Sequence, residues 1–408
     1  MSQTGSGRFK RIVWPMAIAQ TLLWAGAFYL FPALLGAWEQ EFGWSKQALT
    51  GAFTIALLLS AVVAPAVGRA IDRGLSLAVH PTAAVLAALA LAALAMVNEL
   101  WQFYLAWAVL GVFMGGALYE PCFAIITLYM GSRARQAITL VTLLAGFAGT
   151  IAFPTAHALM STFGWRGVML AFAAAIALVA APLLFYAVSQ AQTENPAPPE
   201  PPAPNTGKQV ATGVRPVLLL LGLAFAAIAF NHGSLIAHLL TLLAERGVGT
   251  EVAVLGVAMI GPMQVTGRLA MIALERYLAP VAVALAAFAA LMLASLALYG
   301  VGPSGASGHA SSGGTPMLLV AFVLFQGAGF GVLSILRPTL IAELLGRRRF
   351  GTIAGFLAVP FLTAFALAPS LAGMIWARAG YDAVIAGAGG TALIGFIALA
   401  LAAKRRQA

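Results

Sequence analysis

The chain has 408 residues, of which 62% are hydrophobic and 8% charged, and its net charge is +10. So little polar surface excludes a water-soluble domain of this size. A closed β-barrel is excluded as well, because no short alternating strands are visible.

Stretches of about 20 apolar residues recur along the chain, enough to cross a hydrocarbon layer about 30 Å thick as helices. Helices are the choice because lipid offers no water to unpaired backbone groups. Twelve such spans are read, at roughly 12–36, 48–71, 79–98, 101–130, 135–160, 166–188, 215–243, 251–274, 278–300, 315–345, 351–376 and 381–402. The fold class is therefore an all-α membrane protein. Residues 1–11 are polar and basic, and the first apolar run is long enough to stay as a span rather than be cleaved as a signal peptide.

Span one carries Gln20, Trp24 and Tyr29, which suit a pocket wall or plain aromatic packing. Span two ends in Gly68-Arg69-Ala70-Ile71-Asp72-Arg73-Gly74. Span four holds Gly111-x-x-x-Gly115 and then Tyr119-Glu120-Pro121, and it closes on Arg133 and Arg135. Cys122, two residues after Glu120, points about 200° away from it on a helix. As the sole cysteine it can form neither an intrachain disulfide nor a cysteine metal site. Span five offers a face with Thr142, Gly146, Gly149, Thr150 and His157.

A proline-rich segment, Thr193 to Pro204, precludes a helix and favours an extended, solvated tether. It divides the chain into a six-span bundle over 1–188, a linker over 189–214 and a second bundle over 215–408. In span seven Asn231, Ser234, His238 and Thr241 recur at steps of three and four and so share one face. His232 lies about 100° around from Asn231. A stripe of this kind either contacts substrate and gates, or hydrogen-bonds to a neighbouring helix. Span eight carries Gly267-Arg268 and runs to Glu275-Arg276, which match Asp72-Arg73. Gly302 to Gly314 is a Gly/Ser-rich loop. Span ten repeats the span-four pattern with the charge reversed: Gly327-x-x-x-Gly331, then Leu336-Arg337-Pro338, then Arg347-Arg348-Arg349.

Two such copies, about 215 residues apart, mark a duplication rather than a solenoid. At 1.5 Å per residue, Glu120 lies about 16 Å and Arg337 about 14 Å from the ends of their spans, so both sit near the midplane. Arg268 lies about 10 Å in. Charges at that depth usually face a cavity or a partner. An acid and a base at matching places suggest a central path between two related halves, although a fixed ion pair is the alternative.

With the amino terminus placed in the cytoplasm, the outer loops hold Lys46, Arg166, Arg246 and Arg378, and Arg268 and Arg337 lie inside spans. The other 16 of the 22 Lys and Arg residues fall in cytoplasmic segments. This asymmetry puts both termini inside. It also makes the basic balance topological, with no nucleic-acid partner.

Twelve spans divided six and six, with Gly-x-x-x-Asp-Arg-type loops, resemble the major facilitator superfamily. Finer matches resemble its branch of monocarboxylate transporters and oxalate/formate antiporters. They are Glu41-Phe42-Gly43-Trp44-Ser45, Gly68…Asp72-Arg73-Gly74, Phe163-Gly164-Trp165-Arg166, Gly267-Arg268 and Gly380-Tyr381-Asp382. The Asp-Gly-Gly-type motif and the buried lysine of span one in animal members are absent, so the substrate stays open. The resemblance implies that spans one, four, seven and ten line a central cavity, with Glu120 and Arg337 facing it from opposite halves. It also implies that Asp72, Arg73 and Arg69, with Glu275 and Arg276 in the other half, gate by pairing across the inner loops. A monomer is the oligomeric state it implies.

The chemistry expected follows from charge. Arg268 and Arg337 bind a carboxylate through paired donors, and Asn231, His238 and Tyr29 complete the substrate contacts. Glu120 titrates: a substrate anion that draws Arg337 away would let it take up a proton. The reading is a secondary active transporter of a small organic anion, a monocarboxylate moved with a proton. The runner-up is a proton-driven exporter of drugs, toxicants or other amphiphiles, and a non-transporting membrane sensor is a third possibility. No phosphate loop, His-Glu-x-x-His or nucleophile elbow is present, so neither an enzyme nor a cofactor is expected. Ala-rich composition without a targeting peptide points to a bacterial inner membrane.

Overall fold

The computed structural model describes residues 3–194, 207–274, 277–302 and 314–407. Among the described residues the chain is helical, with no β-strand. Glu275 and Arg276, expected to close an inner loop, lie outside them, as do most of the proline-rich tether and of the Gly302–Gly314 loop.

The first helices are α1 (Gln3–Trp24), which passes through a π-helical turn at Ala25–Tyr29 into α2 (Leu30–Phe42), then α3 (Lys46–Asp72) and α4 (Ser76–Leu94). They are followed by α5 (Leu100–Ala117), α6 (Tyr119–Met130), α7 (Ala134–Ala145), α8 (Ala148–Ala175) and, after a second π turn at Ile176–Ala180, α9 (Ala181–Glu194). The remainder are α10 (Gly207–Glu245), α11 (Thr250–Leu274), α12 (Pro280–Tyr299), α13 (Gly314–Leu344) and α14 (Phe350–Gln407). The starts and stops follow local chemistry. Ser45 caps α3 by accepting the Ala48 N–H at 3.2 Å. Gly43 ends α2 in the left-handed region at φ 67°.

Among the described residues nine helical runs are long and apolar enough to cross a membrane. Two of them, Leu100–Thr193 and Phe350–Arg405, are far longer than one crossing requires. Each contains a glycine break with the same backbone, Gly164 (φ 63°, ψ 178°) inside α8 and Gly380 (φ 73°, ψ −178°) inside α14. Large apolar side chains are left on the outside, among them Val62, Leu178, Leu296 and Met317. Such a surface would be a liability in water and is what lipid requires. The chain is a multi-pass membrane protein.

The chain forms two compact units: Met1–Ala203 with Gly346–Val359, and Pro204–Leu345 with Pro360–Ala408. The sequence division places 346–359 with the second bundle, whereas in the structure that stretch packs in the first unit. The reason is a backbone contact. A Cβ on Gly355 would lie 2.4 Å from the Ala64 carbonyl oxygen, and one on Gly351 would lie 2.6 Å from that of Gly68. The opening turns of α14 therefore rest directly on α3.

Each unit is built on a second glycine contact. In the first, a Cβ on Gly111 would meet the Ala56 backbone at 2.3 Å and one on Gly115 the Ser60 carbonyl at 2.9 Å, so α5 lies against α3. In the second, Gly331 would meet the Gln264 backbone at 2.4 Å and Gly267 the Ala328 backbone at 2.6 Å, so α13 lies against α11. The Gly-x-x-x-Gly spacing thus serves close helix packing in both halves.

A further correspondence was not apparent from the sequence. In the first unit Arg166 pairs with Glu41 and reaches Asn98 Oδ1 at 3.0 Å and the Val97 carbonyl at 3.4 Å, while Trp165 also donates to Glu41. In the second, Arg246 pairs with Asp382 and donates to the carbonyls of Leu298 (2.6 Å), Tyr299 (3.0 Å) and Val301 (2.6 Å). One arginine follows the Gly164 break in α8 and the other follows the end of α10, yet in both units the guanidinium reaches carbonyl oxygen at or just beyond a helix carboxyl end. That is where the helix dipole favours a cation.

Candidate functional site

The expected continuous fourth span is interrupted. Leu118 takes an extended backbone (φ −86°, ψ −152°) between α5 and α6. The local cause is Gly115-Gly116-Ala117 followed by Pro121. Paired glycines weaken the helix, and proline cannot donate to the Ala117 carbonyl four residues earlier. Breaking the helix moves Pro121 into the first turn of α6, where a missing N–H is harmless. Glu120 sits in that same first turn, half-buried, where the exposed N–H groups favour an acid.

The carbonyls stranded by the break are covered from two other helices. Gln20 of α1 donates its Nε2–H to the Ala117 oxygen at 2.8 Å, and His80 of α4 meets the Gly116 oxygen through Nδ1 at 2.9 Å. Both side chains are fully buried. His80 played no part in the sequence reading. Its signal was a lone imidazole in an otherwise apolar span.

Aromatic rings surround this region. Trp24 lies 4.7 Å from the Tyr119 ring, and Tyr119 stacks on Phe123 at 4.8 Å. Tyr29, at the end of the first π turn, packs against Phe28 and Phe153 and over Gly149. Cys122 is fully buried in α6, and His157 is exposed on α8.

At one end of the first unit Asp72 finds a partner that the resemblance did not specify. Its Oδ1 accepts the Gly351 N–H at 2.9 Å, and its Oδ2 accepts the Thr352 N–H at 2.6 Å and the Thr352 hydroxyl at 2.7 Å. Asp72 therefore caps α14 across 280 residues. Arg69 extends over the Phe356 ring at 5.9 Å, and Arg73 is exposed.

In the second unit Arg337 lies on a continuous α13, with its guanidinium 3.7 Å from the Phe361 ring centre and 5.5 Å from that of Phe225. Arg268 is buried and donates its Nε–H to the Gly331 carbonyl at 2.9 Å, which fixes it against the close α11–α13 crossing.

The polar stripe of span seven turns into its own unit. Asn231, fully buried, donates to the Ala388 carbonyl at 2.9 Å and to Ser295 Oγ at 3.3 Å, and it accepts from Gln326 Nε2 at 3.2 Å. His238 donates Nε2–H to the Pro369 carbonyl at 2.9 Å, and the Thr241 hydroxyl meets that of Tyr381 at 2.7 Å. Asn231 and His238, expected at the substrate, hold α10 to α12 and α14. The residue 100° around, His232, stacks on Phe330 at 3.5 Å and meets Gln326 at 3.2 Å. Gln326 and Phe330 lie 11 and 7 residues before Arg337 on α13, so the three share one face. That spacing was the available signal for Gln326 and Phe330. Phe361 and Phe225 gave none.

A fold of apolar helices duplicated about internal breaks, with ionisable side chains well inside the spans, defines the class as a membrane transporter. A family model described as Major Facilitator Superfamily matches residues 16–308, and the chain belongs to that superfamily. It is 30% identical over 263 residues to human monocarboxylate transporter 11. That match takes in 61% of this chain and 54% of the human protein, so it covers little more than half of that relative's length. In fold it is similar to the crystal structure of the human organic anion transporter MFSD10 (TETRAN), with a TM-score of 0.70 and 19% identity over 96% of this chain and 99% of that one.

Proposed function

We propose that this chain moves a small organic anion of the monocarboxylate type across the membrane, coupled to protons, by alternating access. The observation that carries the reading is Arg337, a permanent cation within an apolar helix and framed by Phe361 and Phe225. A guanidinium cannot release its proton at working pH, and it suits a carboxylate with two parallel donors. Two similar proteins carry names that denote anions, a monocarboxylate transporter and an organic anion transporter, which supports the same substrate class.

In this reading Glu120 is the titrating group, placed where the dipole of α6 offsets part of the cost of its charge. Arg268 supplies a second cationic contact and Tyr29 a pocket wall. Asp72 gates by holding or releasing the amino end of α14, with Arg69 and Arg73 beside it. Taking Gly164 and Gly380 as turns between crossings, and the interruptions near Gly131 likewise, gives twelve spans with both termini in the cytoplasm of a bacterial inner membrane. A single chain suffices for this cycle.

The aromatic cluster of Trp24, Phe28, Tyr29 and Tyr119, which reaches the first turn of α6, favours a second reading, proton-driven export of amphiphilic compounds. Uptake of a labelled monocarboxylate panel into proteoliposomes, with and without an inward proton gradient, separates the two. Gradient-stimulated uptake supports the anion reading. No uptake of any acid overturns it and favours export.

A further inference from the structure

We propose that Gln20 and His80 are positioning residues for Glu120: they fix where the acidic half-helix α6 begins. The proposal rests on the reading of Glu120 as the proton site. Its foundation is the break at Leu118. In a continuous helix the Gly116 and Ala117 carbonyls would accept from residues 120 and 121. Pro121 has no N–H, and the turn at Leu118 ends the ladder. A buried carbonyl without a partner is costly in a membrane interior.

Gln20 and His80 meet that need from two directions, one on α1 and one on α4, at 2.8 and 2.9 Å. Neither side chain has any exposure. A carbonyl partner requires the Nδ1–H form of His80. Its Nε2 is buried and makes no hydrogen bond, so a second ring proton would have nowhere to go. His80 is therefore a neutral strut rather than a proton carrier. The helix α4 is held close as well: a Cβ on Gly116 would come within 2.7 Å of Ala83 Cβ. Two struts on separate helices fix both the height and the rotation of the first turn of α6, and with them the Glu120 carboxylate.

Cys122 provides the readout. It is the only cysteine in the chain, it follows Glu120 by two residues, and it is fully buried. In proteoliposomes, Gln20→Met and His80→Leu remove the donors at similar volume, and His80→Asn keeps a donor near the Nδ1 position. In both donor-less variants, modification of Cys122 by a small maleimide should accelerate about tenfold as local opening becomes easier. The maximal rate of gradient-driven uptake should fall about tenfold with KM changed less than about twofold, since the change lies outside the anion site. His80→Asn should return both quantities toward wild type.

The proposal is overturned if Cys122 stays shielded in Gln20→Met, or if His80→Asn behaves as His80→Leu in a protein that elutes as a single folded species. Should His80→Leu fail to fold, Gln20→Met carries the test alone. Wild-type protein that takes up no acid would sink the functional reading while leaving the Cys122 comparison decisive for this one.

Discussion

The two units answer the same structural problem differently. Each has an ionisable residue followed by a proline in a Gly-x-x-x-Gly helix, yet α5–α6 is broken at Leu118 whereas α13 runs through Pro338 unbroken. The difference lies in the preceding residues. Gly115-Gly116-Ala117 offers a weak helix for proline to end, while Leu333-Ser334-Ile335-Leu336 offers bulk that packs and resists. The outcome matches the charge in each case. The acid comes to rest at a half-helix amino end, where the dipole favours it, and the arginine stays mid-helix, beside the rings of Phe361 and Phe225. Discontinuous helices at mid-membrane depth are a common way to place a transport site. Among the described residues the helix carrying Glu120 is interrupted beside it and the helix carrying Arg337 is not.

The strongest test of that division is Arg337→Lys. If the second unit supplies a bidentate anion site, retained charge is not enough, and initial uptake of the acid substrate falls about 100-fold, the order of a lost charged hydrogen-bond pair. Uptake close to wild type would make Arg337 a packing residue. Next in size is Glu120→Gln. Stimulation of uptake by a proton gradient disappears, a loss of about tenfold, while exchange of labelled for unlabelled acid without a gradient persists. Stimulation that survives would place the proton elsewhere.

The proline pair sharpens the comparison further. Pro121→Ala restores an N–H to the Ala117 carbonyl and lets the helix close across the break, so gradient-driven uptake drops several-fold. Pro338→Ala acts on a helix already continuous and changes the rate less than about twofold. Equal effects would erase the proposed asymmetry.

The smallest effect expected is on stability and concerns the two arginine latches. Arg246 is nearly buried, at 11% side-chain exposure, and Arg166 is open at 39%. Arg246→Gln should therefore cost about 2 kcal/mol and Arg166→Gln under about 1 kcal/mol, read as thermal midpoints of the solubilised protein. A reversed order would assign the latch in the second unit to the surface.

Much of this molecule was legible from residue order alone. Apolar runs long enough for a bilayer, too few charges to coat a soluble fold, and two glycine-spaced motifs of opposite charge determined a duplicated helical membrane protein and picked out Glu120 and Arg337. Length and polarity decide these features, and both are local properties of the chain. The loops with Gly43, Gly164 and Gly380 were also readable, because a left-handed backbone leaves little choice but glycine.

Tertiary structure alone decided the partners. Periodicity showed that Asn231 and His238 share a face, but not which helix that face meets. Only packing turns them toward Ala388 and Pro369 and leaves His232 against Phe330. Likewise Asp72 caps a helix that begins at Phe350, and Gln20 and His80 reach carbonyls 97 and 36 residues away. A side chain's donors are written in its own residue, but the acceptor it meets depends on which helices approach closely enough to bring that carbonyl within 3 Å.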